Sequence, residues 1–74
     1  MNTPKPGIYR HYKGNLYQVI AVAKHSETLE KVVIYRALYG KGEYWVRPLS
    51  MWNEIVEIDG HKVPRFEYIT DSDN

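Results

Sequence analysis

Apolar residues in this chain come in short runs broken by glycine, proline or polar clusters, a spacing that predicts a series of short strands rather than helices. GIYRHY (7–12) is rich in strand formers, and KGN (13–15) supplies a turn in which Gly14 can take a positive φ. LYQVIAVAK (16–24) is the hairpin partner. It is apolar at nearly every position from Val19 to Ala23, which predicts a strand with both faces covered, as in a tightly curled barrel. After the polar loop HSETLE (25–30), KVVIYRALY (31–39) reads as a third strand. Its two faces are Val32, Ile34, Arg36 and Leu38 against Val33, Tyr35, Ala37 and Tyr39.

GKGE (40–43) is a flexible glycine loop, and YWVRP (44–48) a short fourth strand that Pro48 must end or place at an edge, since proline donates no ladder hydrogen bond. Alternation puts Tyr44 and Val46 on one face and Trp45 and Arg47 on the other; turning Tyr44 and Val46 inward keeps the arginine in water, and the reverse buries it. LSMWNE (49–54) reads as a single helical turn that Ser50 can cap. The Asp-Gly pair in IVEI-DG-HKVP (55–64) fits a two-residue type I′ hairpin, and RFEYI (65–69) is the closing strand. The predicted class is mostly β: a small SH3-like antiparallel barrel with one short helical turn. It occupies residues 7–69, between a flexible proline-bearing lead (1–6) and a disordered polar tail (70–74).

Composition narrows the chemistry. In a chain of 74 residues without cysteine, neither disulfides nor thiolate metal sites are available, and seven tyrosines and two tryptophans must supply the buried area instead. A formal net charge of +1 falls short of the basic excess that by itself argues for nucleic acid. The N-terminal stretch lacks the apolar core of a secretory signal, and no apolar run approaches membrane-spanning length, so the expectation is a cytoplasmic protein with no membrane association.

The stretches GIYRHYKGNLYQV, AKHSETLEKVVIYRALYG, WVRPLSMW and DGHKVPRF resemble the small bacterial family known as domain of unknown function 1653, over nearly the whole chain. The resemblance implies an SH3-like barrel, sometimes a module in longer chains, and no established activity.

Candidate chemistry gathers in a few places. Tyr35, Arg36, Tyr39, Tyr44, Trp45, Arg47 and Trp52 form an aromatic and arginine group suited to grooves that bind proline-rich peptides, methylated cations or unstacked bases. The best candidate face is Tyr39, Tyr44, Trp45, Arg47 and Trp52, with His25 and Glu27 at its edge. A protein or peptide is the expected partner; the alternative is RNA or single-stranded DNA on the same face. His25, Ser26 and Glu27 carry the ingredients of nucleophilic catalysis, but neighbours in sequence do not converge, so no enzymatic activity is expected. His11, His25 and His61 lack metal-ligand spacing, so neither a metal nor another cofactor is expected. Arg47 and Arg65 each adjoin a proline and read as clamps onto Glu54, Glu57 or Glu67, with a shared site for an anionic ligand as the alternative.

Overall fold

A computed structural model describes residues 3–71; the expectations for residues 1–2 and 72–74 lie outside the described residues. Seven strands and one helical turn follow in order: β1 (Gly7–His11), β2 (Leu16–Lys24), β3 (Lys31–Ala37), β4 (Tyr44–Pro48), α1 (Leu49–Trp52), β5 (Ile55–Ile58), β6 (His61–Pro64) and β7 (Phe66–Thr70). The first four strands and β7 make one five-stranded antiparallel sheet in the order β4-β3-β2-β1-β7, and β5 and β6 form a separate hairpin. The fold is mostly β with one short helical turn, as the pattern predicts. The strand ladder does not close: β4 and β7 are the two ends of the sheet. Side chains join those ends, because Trp52 stacks on Phe66 (3.8 Å, 2° between planes) and the Arg47 guanidinium lies 5.7 Å from the same ring.

One bulge explains the unbroken apolar run in β2. Val19 faces Tyr35 and Ala21 faces Ile34, so Ile20 is an extra residue without a partner on β3. Before it Tyr17 and Val19 face the core; after it Val22 does, opposite Val33. The bulge flips the strand's parity. Ile20 is left exposed, so the expectation that β2 is covered on both faces is wrong: the apolar run reflects two half-buried segments of opposite phase.

The core is Tyr9, Val19, Val33, Tyr35, Leu49, Trp52 and Phe66, packed on one face of the sheet, with Val33 fully buried. Large rings meeting edge to face fill this small interior without disulfides: Trp52 meets Tyr35 at 5.0 Å and Tyr9 at 5.6 Å, and Tyr17 meets Phe66 at 5.7 Å. The helical turn is not capped by Ser50. Pro48 occupies the cap position with no side-chain hydrogen bond, and α1 is held by the burial of Leu49 and Trp52. At the tip of the β5–β6 hairpin Asp59 (φ 50°) and Gly60 (φ 80°) both take left-handed conformations, as a type I′ turn demands. The hairpin is fixed at its base by the Arg65 amide on the Glu54 carbonyl (2.9 Å) and the Arg65–Glu54 ion pair (2.9 Å), one of the clamps expected from the sequence.

Candidate functional site

Strand β4 is an open edge. The Ala37 amide donates to the Glu43 carbonyl (3.1 Å), so antiparallel alternation turns the backbone groups of residues 43, 45 and 47 toward β3 and those of Tyr44 and Val46 outward. Pro48 shares the outward phase, where its missing N–H costs no ladder bond. Three consecutive large side chains on this edge are open to water: Tyr44 (67%), Trp45 (49%) and Val46 (65%).

The loop between β3 and β4 adds Tyr39, half exposed, whose hydroxyl meets that of Tyr17 at 2.8 Å. Burial, reinforced by that hydrogen bond, pushes the Tyr17 phenol up to about 12. Trp45, Tyr39, Glu43 and the loop backbone enclose a cleft of about 230 Å³, with buried Ala37 in its lining. A second cleft of about 310 Å³ is lined by Arg36, Leu38, Lys41 and the glycines of the same loop. Arg36 lies 5.7 Å from the Tyr44 ring and packs so close to Gly42 that a Cβ there would stand 2.8 Å from its Nη2. The Arg36 tip can move aside, so glycine is favoured at 42 by its φ of 66° rather than by space.

Of the seven residues proposed from sequence, Tyr39 and Trp45 line one cleft at this end of the sheet, and Tyr44 is beside them on the opposite face of β4. The other four do not join them. Trp52 is 2% exposed and belongs to the core, which removes it from any ligand face. Arg47 is on the core side of β4 with Trp45, opposite Val33, while Tyr44 and Val46 point outward, so the expected orientation of the strand is reversed. The outer face of β3 offers Tyr44 and Val46 only Arg36 and Ile34 to lie beside, whereas the inner side lets the Arg47 stem cover core surface and its guanidinium stack on Phe66. Nor does Arg47 act as a clamp, since the ion pair present among the described residues is that of Arg65 with Glu54.

His25 and Glu27 lie in the loop at the opposite end of β3, whose seven residues separate the two loops by about 20 Å. There the His25 Nδ1 accepts the Glu27 amide (3.1 Å) and the Thr28 amide (3.3 Å), while Leu29 takes a left-handed φ of 63° and donates to the His25 carbonyl (2.8 Å). The imidazole organises the turn by the same geometry that Asx side chains use.

A second concentration of chemistry was not singled out in the sequence. His11 shares strand phase with buried Tyr9 and packs edge-on to Phe66 (5.0 Å). Its pKa is lowered by burial first, then by the charges of Arg65, Lys13 and Arg47. The strand period could have found it, because Tyr9 and His11 are two residues apart. Among the described residues no group of three or more His, Asp or Glu could hold a metal, and no helix is long and apolar enough to cross a membrane.

Comparison with known proteins bears on the whole domain. A crystal structure of a protein from Bordetella bronchiseptica, described as belonging to DUF1653, superimposes with a TM-score of 0.84 and 38% sequence identity, covering 96% of this chain and 94% of that one. No curated protein matches. The family described as "Protein of unknown function (DUF1653)" matches residues 7–68, which span β1 to most of β7, and the chain belongs to that family.

Proposed function

We propose that this SH3-like domain is a cytoplasmic binding module, without catalysis of its own, that takes an extended protein segment along the open edge of β4. The observation that carries the reading is the coincidence of outward-facing backbone groups at Tyr44 and Val46 with three exposed large side chains on the same strand. An added strand gains affinity from main-chain hydrogen bonds and specificity from alternate side chains. Here one set would meet Tyr44 and Val46, and the other Trp45 and the cleft beside Tyr39. Natural sheets usually protect an exposed apolar edge with charge, and β4 carries its only charge, Arg47, on the inner side.

Selection from a displayed peptide library, followed by amide hydrogen exchange, tests this. Bound peptides should slow exchange at Tyr44 and Val46, and Trp45→Ala should abolish capture while leaving thermal stability nearly unchanged. Peptides that bind equally to Trp45→Ala, or that leave those two amides unprotected, would sink the proposal. Single-stranded RNA or DNA is the second reading, favoured by the Arg36 guanidinium over Tyr44 with Lys41 nearby. Quenching of Trp45 fluorescence by short oligonucleotides, lost as salt is raised, would support it in place of the peptide.

A further inference from the structure

We infer that the surface over Phe66 between Arg47 and His11 is an oxyanion site that takes the phosphate group of a small ligand. The inference is independent of the strand-addition reading, because it concerns the inner side of β4. Arg47 reaches inward over Phe66, whose ring is stacked on Trp52. Its Nε is shielded from water and has no hydrogen-bond acceptor, and the guanidinium has no carboxylate partner among the described residues. A shielded guanidinium N–H without an acceptor is costly, and the stacking on Phe66, though favourable, supplies no acceptor for it.

His11 stands against the same Phe66 ring. Its Nδ1 accepts the Lys13 amide (3.1 Å), so in the neutral ring the proton is on Nε2 and available as a donor. The charged groups felt at His11 are Arg65, Lys13 and Arg47. Glu54 compensates Arg65, which leaves the charges of Arg47 and Lys13 open. Two uncompensated cations with an imidazole donor match a dianionic phosphate better than a single carboxylate. Glu67 is cross-strand from Arg10, and both line a neighbouring cavity of about 360 Å³ with His11 and Tyr12. Tyr12, over which Arg65 and Lys13 both lie, and Tyr17, edge-on to His11, supply aromatic walls beside the charges.

The test is an NMR titration of the full chain with inorganic phosphate at low ionic strength, with acetate at matched ionic strength as the second arm. Phosphate should shift the Arg47 Nε–H and His11 ring signals saturably and move the His11 titration to higher pH, since an anion favours the imidazolium. Acetate should do neither, and Arg47→Gln should weaken phosphate binding about tenfold or more. Should Arg47→Gln lose its dispersed spectrum, His11→Gln serves as the second variant, with the same loss expected. Shifts that grow without saturation, or persist unchanged in both variants, would overturn the site. Equal saturation by acetate would overturn its assignment to phosphate.

Discussion

Replacing Trp52 with alanine separates a core role from a surface role more sharply than any other single change. Its side chain is 2% exposed, stacks on Phe66 at 3.8 Å and meets Tyr9 and Tyr35 edge-on. An indole buries roughly 200 Å², which at about 25 cal/mol per Å² comes to about 5 kcal/mol before relaxation. Measured truncations of buried aromatics cost about 3–5 kcal/mol, and that is the range expected here. A domain of 74 residues has a total stability of about 4–11 kcal/mol. The variant should therefore lose a large share of that stability, and all of it at the lower end of the range. Trp45→Ala, at a side chain 49% exposed, should cost about 1 kcal/mol or less. Urea unfolding followed by far-ultraviolet circular dichroism compares the two without relying on either indole as reporter. Acrylamide should quench Trp45 in Trp52→Phe and leave Trp52 protected in Trp45→Phe. Equal unfolding midpoints for the two alanine variants would refute the placement of Trp52 and, with it, the side-chain closure between β4 and β7.

Three further expectations rest on local geometry. His25→Ala removes the acceptor for two turn amides and should cost about 1–2 kcal/mol in urea unfolding, whereas His25→Asn should recover most of it, an outcome a ligand-binding role would not produce. Gly60→Ala should cost about 1–2 kcal/mol from the backbone alone, since φ is 80° and nothing lies within 4 Å of an added Cβ; a neutral result by thermal melting would contradict the type I′ turn. Because the Tyr17 phenol is raised from 10.0 to about 12, the folded state keeps a proton that the unfolded chain loses. Stability should then be full below pH 10 and fall as the pH rises toward 12; Tyr17→Phe should flatten that fall when unfolding is measured across the interval.

Most element boundaries were legible in the sequence because local chemistry sets them. The Asp59-Gly60 pair dictates its own turn, the glycines at 40 and 42 break the chain between β3 and β4, and Pro48 ends a strand whose neighbours favour extension. The site was legible only in part. Tyr39, Tyr44 and Trp45 are neighbours in sequence across one short loop, so they remain neighbours in space. His25 and Glu27 were grouped with them, but an extended strand carries its two ends far apart. His11 and Arg47 are separated by 36 positions in the chain and meet only because β1, β7 and β4 bring both against Phe66.

Alternation along YWVRP shows that Trp45 and Arg47 share a face; it does not show which face is buried. Tertiary packing made that choice. Trp52 and Phe66, from α1 and β7, fill the interior above β3, and Arg47 can turn inward because it stacks there on Phe66. The bulge at Ile20 is likewise a property of the β2–β3 pairing, although its trace in the sequence is an apolar run that no single phase explains. The sequence alone determined where the chain is extended and where it turns, since torsional preference and hydrogen-bonding groups act over a few residues. Which side of each strand meets water was decided only in the folded state, because burial is a property of surfaces that residues distant in the chain form together.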